Sequence, residues 1–159
     1  MGLDQKSKRD RIMGKDIYSL LLSLRKYPFV NKVSYYTLKV LGVELPLSVE
    51  LKGTLTLEHG AVGTVVHSKT SIGNNVKIYS NVTIGRADIY IPAEMSKFEK
   101  VIIEDEVILG SGCKVLCKQG VLQVAKGTVV GANAVLLQST GENEIWAGIP
   151  ARRVGFRTL

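Results

Sequence analysis

His59 is one of only two histidines in the chain, and the other, His67, lies eight residues on. It stands in "TLTLEHGAVGTVVH", residues 54–67, a β-branched run that breaks at Glu58 and His59 and resumes after a glycine-rich step. Glu44 precedes His59 by fifteen residues. An imidazole changes its charge near neutral pH. Within hydrogen-bond reach of a hydroxyl it can act as general base while that oxygen attacks a carbonyl. A carboxylate on the other ring nitrogen fixes the tautomer and stabilises the imidazolium that forms. The alternative for His59 is a polar residue in a turn, and the elements around it decide between the two.

Composition narrows the rest. The only cysteines, Cys113 and Cys117, make no disulfide framework, which points to a reducing, cytoplasmic setting. Two thiols and two histidines do not compose a zinc set, so no metal is expected. Net charge is +7, from 21 basic and 14 acidic residues, which suits an anionic partner. No motif or aromatic platform for nucleic acid accompanies that charge, and none is expected as a partner. The early apolar run "IYSLLLSL", residues 17–24, is too short to span a bilayer, and no small-residue cleavage site follows it.

The chain divides near residue 43, into an N-terminal helical segment (1–43) and a repeat region (44–159). Lys6, Lys8, Arg9, Arg11 and Lys15 open the first part. Ile17, Leu20, Leu21 and Leu24 then fall on one helical face. Pro28 ends or kinks that helix, and Val33, Tyr36, Thr37 and Val40 mark a second, stopped by Gly42. The first apolar face either covers an end of the repeat region, the favoured reading, or lies on an acidic membrane surface.

From residue 43 every sixth residue is large and aliphatic. The series are Leu45, Leu51, Leu57; Val66, Ile72, Ile78, Ile84; Ile103, Leu109, Val115; and Val124, Val130, Leu136. Small or β-branched residues recur four positions later, among them Val49, Ala61, Val76, Cys113 and Ala134. A hexapeptide period signals a parallel β-helix, three hexads to a triangular coil. Thirteen hexads make roughly four coils. Cys113 and Cys117 read as packing.

Three interruptions break the series. Leu57 to Val66 and Val115 to Val124 each carry three surplus residues, and Ile84 to Ile103 leaves about residues 86–100 as an extruded loop. Insertions in so regular a scaffold are expected as surface loops that carry binding work. Glu44 and His59 then fall near one corner, one coil apart, about 4.8 Å as paired strands are spaced. The loop and the surplus near Gly120 share another corner, so a symmetric trimer would bring the two corners of neighbouring subunits together.

Several stretches together, "GVELPLSVELKGTLTLEHG", "IGNNVKIYSNVTIG", "EDEVILGSGCKVL", "VAKGTVVGANAVLL" and "WAGIPARRVG", resemble the hexapeptide-repeat acyltransferases, and most nearly their serine acetyltransferase-like branch. The resemblance covers about residues 43–155. It implies a mainly β fold, a left-handed parallel β-helix, commonly trimeric, that moves acetyl from acetyl-CoA to a hydroxyl. It implies catalysis by His59 with Glu44 orienting it, and acceptor contact at Glu58. Both acids are Glu where the family has Asp. Arg86 and Asp88 in the loop, with Tyr90, are either acceptor-site or ordinary exposed residues. Gly110, Ser111 and Gly112 serve a corner and, with Gly85, face the pantetheine arm; Lys126 and Arg152, with Lys114 and Arg153, are candidates for the CoA phosphates. His67 is expected to be structural.

The branch's second active-site histidine lies in an Arg-His-Pro-Lys stretch at the loop's end. Here "SKFEKVIIED" stands there, with Lys100 near the histidine's place. On that departure, and on the short N-terminal segment that stands in place of the branch's long helical domain, the expected acceptor is a sugar or glycan hydroxyl in polysaccharide biosynthesis. Serine O-acetylation in cysteine biosynthesis is the alternative, and a non-catalytic β-helix a further one.

Overall fold

The computed structural model describes residues 17–158. The basic cluster from Lys6 to Lys15 lies outside them. Two helices lead the described chain, α1 over residues 17–24 and α2 over Asn31–Val40. Fifteen short strands follow, β1 (Val43–Glu44) through β15 (Arg152–Phe156). They form three sheets, designated faces A, B and C. Face A runs β1, β4 (Thr64–Val66), β7 (Thr83–Arg86), β10 (Lys114–Cys117) and β13 (Val135–Leu136). Face B runs β2 (Glu50–Leu51), β5 (Thr70–Ile72), β8 (Phe98–Ile103) and β11 (Gly120–Val124). Face C runs β3 (Leu55–Leu57), β6 (Val76–Ile78), β9 (Ile108–Leu109), β12 (Val129–Val130), β14 (Glu144–Ala147) and β15. All pairs are parallel except β14 with β15, which closes the top as an antiparallel pair.

The period fixes the register. Val66, Ile84, Val115 and Leu136 face one another up face A. Leu51, Ile72, Ile103 and Val124 do so on face B. Leu57, Ile78, Leu109 and Val130 do so on face C. Nearly all of these are buried, and Val49, Ala61, Val76, Cys113 and Ala134 fill the corners between them. Trp146, opposite Val130, ends the face C column; its ten-residue step from Leu136 hides it from a period of six. Burial pushes the Cys113 thiol up to about 12, which keeps it an inert packing group.

Corners turn through left-handed residues. Gly112 has φ +74°, and the Oδ1 of Asn133, itself at φ 56°, sits where a Cβ on Gly112 would go. Glycine below asparagine recurs at Gly63 and Asn81, so successive coils lock edge to edge.

Three expectations are corrected. The inward face of α1 is Tyr18, Leu21 and Leu22, while Ile17 and Leu20 are exposed. Arg25 sets that phase, donating to the carbonyls of Leu45 and Pro46 at 2.7 Å each across the open first coil. In α2, Ser34 and Leu38 are buried and Val33, Tyr36 and Val40 are exposed. The small Ser34 lies against α1, its hydroxyl donating to the Leu21 carbonyl. Finally, the surplus near Gly120 is no loop. It lengthens the strands, with Cys117 beside Arg86 and Gly120 beside Phe98, around a bulge at Gly120 and Val121. The extruded segment is accordingly shorter than 86–100, running from residue 87 to 97 between β7 and β8.

Ile78 is fully buried between Leu57 and Leu109. Ile78→Ala is expected to cost about 2–5 kcal/mol in denaturant unfolding. A second expectation concerns Glu144. Burial alone would raise its carboxyl, but hydrogen bonds from the Gly141 amide, the Trp146 indole and Arg153 outweigh that and hold it below its ordinary value. Its stabilisation is therefore present above the ordinary carboxylate range and is lost as pH falls through the lowered value. Melting temperature should fall with acidification, and the fall should be shallower in Glu144→Gln.

Candidate active site

Each coil turns at three edges, from A to B, from B to C and from C to A. The surplus between Leu57 and Val66 becomes a tight turn, Glu58–Ala61, on the C-to-A edge. His59 (φ 54°, ψ 29°), Gly60 (φ 74°) and Ala61 (φ 47°) are all left-handed. For the two non-glycine residues that conformation costs roughly 1–2 kcal/mol each. Packing holds the turn: Gly60 and Ala61 are buried, and Tyr18 of α1 lies where a Gly60 Cβ would project, its Oη 2.6 Å away. His59 itself is exposed, with the Tyr79 ring 5.9 Å off at 52°. The turn is thus strained and buttressed, and it presents the imidazole to solvent.

Glu44 lies in β1 on face A, beside Val65 of β4, the strand that His59's turn leads into. Its carboxylate meets Lys39 Nζ at 3.3 Å, an exposed pair of the kind that contributes little and rearranges readily. Glu58 is largely buried and faces Lys77 Nζ at 3.8 Å. Gly110, Ser111 and Gly112 occupy the C-to-A edge higher up, between β9 and β10. The amides of Gly110 and Gly112 are spent on Val130 O and Ser80 O, which leaves the exposed Ser111 side chain for a ligand.

The other candidates lie elsewhere. Gly85 is in β7 on face A, where a Cβ would meet no atom within 4 Å. Arg86 and Asp88 sit at the A-to-B edge and hold the neck of the extruded segment. Arg86 donates to Asp88 Oδ1 at 2.8 Å and to the Ile91 carbonyl at 2.8 Å, and the Ser96 hydroxyl donates to Asp88 Oδ2. Ser96 and then Arg86 hold the buried Asp88 carboxyl below its ordinary value. Tyr90 is exposed beyond the neck. Lys126 is on the B-to-C edge, 3.5 Å from Glu106, and Arg152 begins β15. Lys114 donates to the Asn81 carbonyl and Arg153 to Glu144. Lys100 lies exposed in β8.

His67, also at the A-to-B edge, packs edge-on against Phe98 at 4.8 Å and accepts the Lys69 amide on Nδ1. Burial, then Lys69 and Arg86, lower its pKa and keep it neutral. Sequence reasoning missed Tyr18 and Tyr79. Tyr79 stands one coil above Glu58, since Leu57 pairs with Ile78, and reading 21 residues ahead would have found it. Tyr18 depends on the phase of α1, which the sequence leaves open.

No family model matches the chain. Curated relatives do. A serine acetyltransferase of Staphylococcus aureus is 31% identical over 134 residues, 84% of this chain and 59% of its own. One of Bacillus licheniformis is 32% identical over 113 residues, 71% of this chain and 48% of its own. The chain thus spans about half to three fifths of the relatives it matches. Among solved structures, the serine acetyltransferase of Vibrio cholerae superposes with a TM-score of 0.67 at 23% identity, over 93% of this chain and 54% of that one. That of Brucella abortus in complex with coenzyme A gives 0.66 at 25%, over 93% and 56%.

These relatives overturn the sugar or glycan acceptor and the polysaccharide pathway expected with it. That expectation rested on the altered loop end and on the short N-terminal segment, neither of which names the acceptor.

The buttressed turn yields a prediction. Gly60→Ala adds a Cβ against the Tyr18 ring at a left-handed φ. It should destabilise the protein by about 1–2 kcal/mol. Wild-type stability in denaturant unfolding would show that Tyr18 does not hold the turn.

Proposed function

We propose, for a chain that belongs to the hexapeptide-repeat, left-handed β-helix acyltransferase family in its serine acetyltransferase-like branch, the transfer of an acetyl group from acetyl-CoA to the serine hydroxyl. The observation that carries the proposal is His59 held exposed in a strained turn that leads into β4, the strand paired with Glu44's β1. No helix among the described residues is long and apolar enough to cross a membrane.

His59 takes the proton of the serine hydroxyl as that oxygen forms a bond to the thioester carbonyl carbon. The tetrahedral intermediate collapses, the carbon–sulfur bond breaks, and the imidazolium returns its proton to the departing CoA thiolate. Glu44 leaves its exposed pair with Lys39 to orient and charge-stabilise the imidazole. Glu58 meets the acceptor from the same turn. Ser111 and the side-chain-poor steps at Gly85, Gly110 and Gly112 fit the pantetheine arm, and Lys126 and Arg152 its phosphates. One chain keeps these residues on different edges and at its closing hairpin. A homotrimer, in which one subunit's edge meets its neighbour's, supplies what one chain lacks.

The test is free-thiol release from acetyl-CoA with serine as acceptor. The wild type should turn over, and His59→Ala should lower kcat by about 10²–10⁴ with an unchanged melting temperature. Absence of serine-dependent thiol release from the wild type would refute the proposal.

A further inference from the structure

The segment from residue 17 to residue 42 contains Arg25, Lys26, Lys32 and Lys39 and no Asp or Glu. It also carries apolar surface that is exposed among the described residues. Phe29, in the turn between the helices, is 95% exposed, and Val33, Tyr36 and Val40 recur at helical spacing along the outer face of α2. Tyr27 is exposed beside them in the sequence. None of these side chains is needed by the core, because Ser34 and Leu38 already seat α2. Lys39 is engaged by Glu44, whereas Lys26 and Lys32 make no ion pair among the described residues.

We propose that this face, the inter-helix turn with the outer side of α2, docks the protein on an anionic lipid surface. Apolar side chains flanked by lysines and amphipathic tyrosines are the composition of an interfacial helix, with rings at the headgroup level and cations among the phosphates. Charge selects this occupant over a self-complementary contact with a second copy of the chain. A self-complementary contact would set Lys26 and Lys32 of one copy against those of the other, in a segment with no carboxylate to neutralise them. An anionic bilayer supplies the missing charge, and the almost fully exposed Phe29 ring is the side chain to enter its acyl boundary.

The full chain is tested by co-sedimentation with vesicles of phosphatidylcholine, with and without phosphatidylglycerol. It should bind the phosphatidylglycerol vesicles at low salt, bind more weakly at high salt, and ignore phosphatidylcholine alone. The triple variant Phe29→Ser, Val33→Ser, Val40→Ser should bind at least about tenfold more weakly, and Lys32→Glu several-fold more weakly. Both variants alter only exposed side chains and should melt as the wild type does. Three results would each overturn the proposal: no binding to phosphatidylglycerol vesicles, undiminished binding by both variants, or a lower oligomeric mass of the triple variant in light scattering, which would make the face a contact between copies.

Discussion

The structure depends on the stacking of one large aliphatic residue on its equivalent in the next coil. Ile72, Ile78, Ile84, Ile103 and Leu109 are virtually inaccessible, and each lies between coil neighbours of its own kind. A column of this sort buries its apolar surface only when several coils are present, so the repeat is cooperative along its axis. It also dictates that all backbone pairing be parallel until the chain must end. There β14 and β15 turn back on themselves, and Glu144 ties the closing hairpin to Trp146 and Arg153.

A scaffold this regular makes its departures informative. The two three-residue surpluses have opposite fates. Near Gly120 the facing strand also gains residues, so both lengthen and pairing absorbs the surplus. After Leu57 no neighbouring coil offers matching length, and the surplus is forced into the left-handed turn that carries His59. The cost is met by burying Gly60 and Ala61 and by laying Tyr18 across the turn. Helix α1 thereby does two jobs: Arg25 satisfies carbonyls of the open first coil, and Tyr18 holds the turn.

The β-helix was legible because inward positions in a coil admit only one residue class, so period and register coincide; every aliphatic from Leu51 to Leu136 faces the partner that the period assigns it. The phases of α1 and α2 were not legible. Both helices carry more apolar residues than there are inward positions, and single long-range contacts choose among them, Arg25 to Leu45 in one and Ser34 to Leu21 in the other. Counting hexads put Glu44 and His59 near one corner; the register sets Glu44 beside Val65, in the strand that follows His59's turn. The pairing of Glu44 with Lys39 did not, because it depends on where α2 ends relative to β1. The acceptor was misread from the altered loop end, "SKFEKVIIED", and the short N-terminal segment, neither of which identifies it.

The central claim is that His59 and Glu44 act as one catalytic unit. A double-mutant cycle on kcat/KM for serine-dependent thiol release, using His59→Ala, Glu44→Gln and the pair, tests it most directly. The account predicts that Glu44→Gln slows the wild type but changes nothing further once His59 is alanine. Equal slowing by Glu44→Gln in both backgrounds would contradict it.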